Sequence, residues 1–232
     1  MSLRARVLAA LGTVYDPELD EPITTLGFVG SCVVAGGEVA VRLRLPTPQC
    51  APNFAFLMAA DARSAVLRVP GVRSVSVVLE DHYTGDEINA AVAGGQGFGD
   101  AFPGETEGSL EALRALFQRK ALLARQSRLL DSPARTLGEL SGPDAERVRA
   151  LRAALGIDAS DGAPAFVLGD GTPVARDEVR FRRMASLTAL SLETNGGMCR
   201  DLLRVRYGGW DKMGRQLTTQ TTASQCARGA VV

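Results

Sequence analysis

The stretch that decides the fold is Leu45-Pro46-Thr47-Pro48-Gln49-Cys50-Ala51-Pro52-Asn53, which joins a strand to a helix and places one cysteine between prolines. Before it, apolar and polar residues alternate from 39 to 45, the period of a strand with one buried face. After it, apolar residues recur at three- and four-residue spacing from 54 to 66, which predicts a helix. Because proline fixes the backbone of the connection, we expect Cys50 on a stiff turn at the helix start.

Cys50 is the leading functional candidate. A thiol at a helix N-terminus meets unpaired N–H groups and the positive end of the helix dipole, which favour the thiolate. The thiolate is the form that binds metals and attacks electrophiles. The alternative is a small apolar cysteine buried at a strand end, since free cysteine is among the most buried residue types. The residues of this stretch leave both interpretations open.

The elements around this stretch predict the fold of the first 92 residues. Paired glycines at Gly36-Gly37 indicate a hairpin turn before the strand that leads to Cys50. A third alternating strand follows at 72–79, and Thr84 with Glu87 predicts a capping box for a short helix. The order is helix, strand, strand, helix, strand, helix. Residues 1–92 are therefore predicted to form an α+β two-layer sandwich.

The rest of the chain has a different composition. Residues 93–108 are rich in glycine and predict a flexible linker. A phosphate-binding loop is the alternative, but these glycines neither follow a clear strand nor precede a Lys-Ser/Thr pair. Residues 109–210 predict a mainly helical region with a small hairpin at 164–174, and with two last helices separated at Asn195-Gly196-Gly197. Residues 211–232 are polar and predict a flexible tail.

Composition limits the class of protein. Lys and Arg total 26, equal to Asp and Glu, and no long basic run is present, so a nucleic-acid partner is not expected. No run approaches the roughly 20 apolar residues that span a bilayer. The four cysteines, Cys32, Cys50, Cys199 and Cys226, contain no C-x-x-C pair, which argues against a zinc knuckle or a dense disulfide framework. We expect a cytoplasmic protein that is not membrane-bound.

Five short motifs follow one another in the first 92 residues: Asp16-Pro17-Glu18-Leu19, Pro22-Ile23, Leu26-Gly27-Phe28-Val29, Thr47-Pro48-Gln49-Cys50 and Val69-Pro70-Gly71-Val72. In this order they resemble the PaaD/SufT-like iron-sulfur (metal-sulfur) cluster assembly family. The resemblance implies a similar sandwich fold. It also implies a role in the maturation of iron-sulfur or iron-dependent proteins without turnover of a metabolite. Ala51 departs from the family pattern, in which proline directly follows the cysteine.

The resemblance also implies a set of site residues. The functional cysteine of the family corresponds to Cys50, and its acidic motif to Asp16 and Glu18, whose carboxylates are hard ligands suited to iron. His82, the only histidine of the chain, follows the third strand and is a further candidate ligand. Asp16 and Glu18 as turn residues, and His82 as a solvated loop residue, are the alternatives. The motif is supported by Pro17, Thr47, Pro48 and Gly27.

One cysteine does not hold a cluster alone, because clusters are commonly tied by four cysteine thiolates or a mixture with histidine. Iron or an iron-sulfur cluster is therefore expected as transient cargo, with further ligands from a homodimer, a client or elsewhere in the chain. Cys199 is expected in a helix core, Cys32 buried in a strand, and Cys226 in the tail. The expected partner is a client metalloprotein, such as an oxygenase component, or an iron-sulfur scaffold protein.

Two functional hypotheses remain open. The first is a maturation factor that delivers iron or a cluster through Cys50, with the C-terminal region selecting the client. The second is a metal-free adapter or chaperone-like protein that binds such a client. An enzyme is not predicted, because Cys50 has no histidine partner beyond His82 and the C-terminal region contains no histidine.

Overall fold

The computed structural model describes residues 1–104 and 110–208. The predicted tail at 211–232, which includes Cys226, lies outside the described residues, as do residues 105–108 of the predicted linker.

The described chain is α+β at its N-terminal end and mainly helical afterwards, as the sequence predicted. The N-terminal elements are α1 (Leu3–Leu11), β1 (Val29–Ala35), β2 (Glu38–Arg44), α2 (Pro52–Leu67), β3 (Ser74–Glu80) and α3 (Gly85–Gly94). They are followed by α4 (Phe98–Ala101), α5 (Leu110–Ser127), a 3₁₀ turn (Leu137–Glu139), α6 (Pro143–Ala154) and α7 (Val179–Tyr207).

The three strands form one mixed sheet in the order β1-β2-β3. Strand β1 pairs antiparallel with β2, and β2 pairs parallel with β3. The predicted hairpin turn is confirmed: Ala35 pairs with Glu38, and Gly36 and Gly37 adopt φ values of 54° and 89°. Such positive φ values are accessible to glycine at little cost.

The N-terminal core lies between the sheet and its helices. Val39, Val41 and Leu43 of β2 are each at most 3% exposed and pack with the apolar side of α2. Helices α1 and α3 complete the layer through contacts with β1 and β3. The alternation of β2 and the helical spacing of α2 therefore place Cys50 at one end of this layer, between the two elements.

The described part of the predicted linker is partly packed. Phe98 and Phe102 are buried in the N-terminal core, and the ring of Phe98 lies edge-on to Phe56 with centroids 5.5 Å apart. The sandwich as an independent unit and the boundary at residues 93–108 stay predictions.

The helical region has a second core, formed by α5, α6, the start of α7 and the segment between them. In this segment Val167 pairs with Pro173 through a single bridge, at the place of the predicted hairpin. The side chain of Gln126 binds both backbone groups of Val167, with 2.8 and 2.9 Å between the paired atoms. A buried glutamine thus replaces part of the backbone pairing of a sheet.

Helix α7 is continuous from Val179 to Tyr207, so the predicted break at Gly196-Gly197 is wrong. Glycine in a helix interior costs about 1 kcal/mol relative to alanine, which packing on either side can outweigh. The packing here needs a small residue, because a Cβ on Gly196 would lie 2.9 Å from the Oε1 atom of Glu21. The first half of α7 belongs to the second core through Phe181 and Ala185, and its second half lies on the sandwich.

The capping box predicted at Thr84 and Glu87 is also wrong. Thr84 is the N-cap of α3, but its side chain makes no capping hydrogen bond. The Oγ1 atom of Thr84 lies instead 3.1 Å from Nδ1 of His82. The hydroxyl of Thr84, which the capping-box pattern assigned to the start of α3, therefore contacts His82 instead.

Candidate functional site

Cys50 lies on the turn that the prolines predicted. Helix α2 begins at Pro52 with Ala51 as its N-cap, so Cys50 directly precedes the cap. Its Sγ atom lies 3.5 Å from Oγ1 of Thr47, at the distance of an O–H···S hydrogen bond. Cys50 is half-buried. This contact holds the Cys50 side chain against the turn, which gives Thr47 of the motif a physical role.

His82 holds this turn from the neighbouring loop. Its Nε2–H donates to the backbone carbonyl of Cys50 over 2.7 Å, while Nδ1 accepts from the backbone N–H of Thr84 over 3.3 Å. Burial lowers the pKa of His82, the bond to the Cys50 carbonyl opposes this, and the charge of Arg206 lowers it further. Both ring nitrogens are engaged, so the ligand role predicted for His82 would require one of these bonds to break.

The acidic motif forms a tight turn whose first carboxylate is buried. Oδ1 of Asp16 accepts hydrogen bonds from the backbone N–H groups of Glu18 and Leu19, over 2.8 and 2.9 Å. Asp16 is only 7% exposed. Burial raises the pKa of Asp16 to about 6, although the two backbone hydrogen bonds act in the opposite direction. Asp16 is thus a turn residue, as one interpretation held, and also a desolvated carboxylate.

The other acids of this loop are neutralised by arginines of the helical region. Asp20, almost fully buried, pairs with Arg125 over 2.7 Å and with Arg147 over 2.9 Å. Glu21 pairs with Arg200 of α7 over 2.7 Å. Asp16 and Glu18 form no ion pair with any residue that the structure describes. The first two acids of the loop are therefore left without a cation among the described residues, and the last two hold the C-terminal helices.

The two unpaired acids line a cavity of about 100 Å³ together with two thiols. Its polar side chains are Asp16, Glu18, Cys50 and Cys199. Its apolar wall is formed by Leu19, Phe28, Leu45, Pro46, Ala51, Phe54 and Met58. The structure thus brings together three of the four predicted ligands. His82 stays behind the turn, and Cys199 enters the site from α7.

Sequence reasoning assigned Cys199 to a helix core. It reaches the cavity because α7 is one helix, on which Gly196, Cys199 and Leu203 share a face. Leu203 packs at Gly27, where φ is 79° and a Cβ would lie 3.2 Å from Leu203 Cδ2; both features explain the glycine of the Leu26-Gly27-Phe28-Val29 motif. The spacing of Gly196, Cys199 and Leu203 by three and four residues is the sequence signal for one packed helix face. The predicted break at the glycine pair hid this signal.

The environment of Cys199 disfavours a thiolate in the free protein. Burial raises the pKa of Cys199 to about 11, and the nearby Asp16, Cys50 and Glu18 act in the same direction. Arg200 acts in the opposite direction, but its guanidinium is bonded to Glu21. A thiol in such surroundings is protonated at neutral pH and loses its proton when a metal ion binds.

The cavity is not a preformed chelate. In the two described ranges, no three His, Cys, Asp or Glu side chains are already arranged around one point as a metal site. The three described cysteines, Cys32, Cys50 and Cys199, are free thiols. Over the same ranges, no helix is both long and apolar enough to cross a membrane.

Comparison with known proteins adds a family to this geometry. The sequence model of a family described as iron-sulfur cluster assembly protein matches residues 4–77. An uncharacterized protein of Methanocaldococcus jannaschii is 34% identical over 90 residues, which are 38% of this chain and 93% of that protein. The chain belongs to the iron-sulfur cluster assembly family. Its membership rests on the N-terminal region, as the motifs predicted.

Two longer relatives carry a functional name. Proteins of Deinococcus radiodurans and of Synechocystis sp., each named iron-sulfur cluster carrier protein, are 39% identical to this assembly-family chain over 71 residues. The match covers 31% of this chain and 20% of each relative, so the chain spans about a fifth of their length. Asp16, Glu18 and Cys50 lie within the segment that the family model matches, and Cys199 lies outside it.

Proposed function

We propose that this protein holds iron or an iron-sulfur cluster in transit at Cys50 and delivers it to a client metalloprotein, such as an oxygenase component. The observation that carries the proposal is the cavity beside Cys50, which is also lined by a second thiol and by two carboxylates that have no ion-pair partner among the described residues. Membership in an assembly family supports the same class of function.

The ligand chemistry suits cargo that must leave again. Thiolates favour iron and iron-sulfur clusters, and carboxylates are hard ligands that also accept iron. Since a cluster commonly needs four protein ligands, two thiols leave positions for ligands of the client or of a scaffold. Fewer permanent ligands allow exchange, which a carrier requires and a resident cofactor site avoids.

The helical region offers a surface for the client. Helix α7 packs on the protein through one face, and its opposite face exposes large apolar side chains at helical spacing. These are Met184, Leu187, Leu190, Met198, Leu202 and Val205. Exposed apolar surface of this extent is typical of protein interaction sites. Met198 adjoins Cys199, so a client bound along this face would lie beside the wall of the cavity.

Anaerobic loading tests the metal-carrying role. Wild type, Cys50→Ser and the matched control Cys32→Ser are incubated with Fe(II), with and without sulfide, desalted, and analysed for iron, sulfide and absorbance. We expect iron to be retained by wild type and by Cys32→Ser, because Cys32 does not line the cavity. Cys50→Ser should lose it. Equal retention by Cys50→Ser, or none by wild type, would overturn the proposal.

A metal-free adapter is the second candidate, and the absence of a preformed three-ligand group in the described residues favours it. This candidate predicts that Cys50→Ser still binds the client, while Leu187→Asp or Leu190→Asp, on the exposed face, does not. Gel filtration of the same variants shows whether that face instead joins two copies of the chain. Retention of client binding by both aspartate variants would remove α7 as the client surface.

A further inference from the structure

We propose that Cys199 is the second thiol ligand of a single divalent transition-metal ion, held with Cys50 and Asp16 between the sandwich and helix α7. This inference rests on the proposed function and specifies its cargo site. It gives the helical region a direct part in metal binding, beyond the segment that defines the family.

The position of Cys199 is fixed on both sides along α7. Before it, Gly196 fits against Glu21 of the acidic loop, and after it Leu203 fits against Gly27. One turn further, Arg206 donates to the backbone carbonyl of Leu45 over 3.2 Å, at the start of the turn that carries Cys50. Helix α7 therefore contacts the loop of Asp16 and the turn of Cys50 with Cys199 lying between these contacts.

No residue in the described part of the chain provides a counter-ion for the carboxylates of the cavity. One oxygen of Asp16 is used by the turn, and within the described residues its other oxygen has no hydrogen-bond partner. That oxygen is open to the cavity and not fully buried, and a cation bound there would offset the cost of burying the rest of the carboxylate. The arginines next to this loop are committed elsewhere, Arg200 to Glu21 and Arg125 to Asp20. The cavity is thus complementary to a metal ion and not to an anion.

The size and ligand types define the class of ion. The volume of about 100 Å³ is the space of about three water molecules, enough for one ion with water but small for a shielded cluster. Two sulfurs and one carboxylate suit Fe(II), Co(II) or Zn(II) better than Mg(II) or Ca(II), which prefer oxygen ligands. The side chains line the cavity without meeting at one point. Binding therefore requires these side chains to move toward one another, which changes between staggered rotamers can provide.

Co(II) is the probe for this site because thiolate ligands give it an intense near-ultraviolet charge-transfer band. The full-length apo protein is titrated anaerobically with cobalt chloride as wild type, Cys50→Ser, Cys199→Ser and the control Cys32→Ser. We expect Cys199→Ser to show about half the charge-transfer intensity per bound ion and at least about tenfold weaker binding, since even outer ligands of metal sites contribute that much. Cys32→Ser should match wild type.

Alkylation of the wild-type protein tests the same point without a substitution. Each cysteine is followed by peptide mass spectrometry after iodoacetamide treatment, with and without saturating Co(II). We expect Co(II) to slow the alkylation of Cys50 and Cys199 and to leave Cys32 unchanged. An unchanged rate at Cys199 would overturn the inference, even if Cys199→Ser proves too unstable to study.

The outcomes separate this inference from the proposed function. If wild type binds no Co(II) and retains no iron either with or without sulfide, the proposed function fails and the inference with it. If Cys50→Ser loses the metal while Cys199→Ser binds it with the affinity and spectrum of wild type, the proposed function stands. In that case only the assignment of Cys199 is refuted.

Discussion

Asp16→Asn is the substitution that separates stability from function at this site. The amide oxygen of asparagine can accept the same N–H groups of Glu18 and Leu19 that Asp16 accepts, so the turn is kept while the buried charge is removed. The pKa of Asp16, raised by burial to about 6 from 3.8, corresponds to a penalty of about 3 kcal/mol at neutral pH. We expect the apo Asp16→Asn variant to be more stable than wild type by up to about that amount at pH 7.

The pH dependence of this gain has a defined sign. Because the folded-state pKa is above the unfolded value, the folded protein binds the proton of Asp16 more tightly than the unfolded chain. The penalty is complete above about pH 6, shrinks as the folded state takes up its proton, and disappears below about pH 4, where both states are protonated. The advantage of Asp16→Asn over wild type should therefore be large at pH 7 and absent near pH 4.

Urea unfolding followed by far-ultraviolet circular dichroism measures this difference. The matched control is Asp170→Asn, since Asp170 accepts the backbone N–H of Thr172 in a similar turn but is exposed and has a lowered pKa. That control should not stabilise the protein at pH 7. The burial argument would be refuted if Asp16→Asn were no more stable than wild type at pH 7. It would also be refuted if the stability gain of the variant were as large at pH 4 as at pH 7. Weaker Co(II) binding by the stabilised variant would show that the carboxylate is kept for its ligand role.

Stability and proteolysis measurements also test the contacts between the two regions. Asp20→Ala removes the buried partner of two arginines, and we expect a loss of about 3 kcal/mol in urea unfolding; wild-type stability would contradict the buried ion pair. Gly197→Ala, with open space at the new Cβ, should gain about 1 kcal/mol. Gly196→Ala should gain less, because its Cβ meets Glu21, and equal gains would refute that packing. A glutamate-specific protease should cut first between residues 94 and 108, and first cuts inside the sandwich would place the boundary elsewhere.

Local patterns were sufficient for the N-terminal fold. The hairpin at Gly36-Gly37 and the turn before α2 depend on backbone chemistry that glycine and proline carry in the sequence itself. Helix α7 depends on tertiary contacts, and the helix break predicted from the glycine pair is wrong for that reason. The space beside Gly196 is filled by Glu21, which lies 175 positions earlier in the chain. Propensity is a weak guide where such contacts outweigh it.

The candidate site also has a part with a local sequence signal and a part that depends on tertiary contacts. The place of Cys50 at a helix start predicts it as a functional residue, and a family resemblance adds Asp16 and Glu18; the structure places all three on one cavity. Their use as metal ligands stays a prediction. Cys199 was assigned to a core because nothing near it in sequence resembles a ligand motif. A ligand contributed by a distant helix has no local signal, so only the assembled fold reveals it.

The distribution of arginines connects the helical region to the site, in addition to the client choice that we propose for it. Arg125, Arg147 and Arg200 lie on three different helices, and all of them bind acids of the one loop that begins with Asp16. Neutralising Asp20 and Glu21 lets that loop pack closely and reduces its repulsion of a thiolate at the cavity, since two of its four charges are cancelled. The other two remain for a cation. A sandwich without helices α5, α6 and α7 would keep Cys50 but lose both this charge balance and Cys199, so its affinity for a metal ion should fall even where the sandwich itself stays folded.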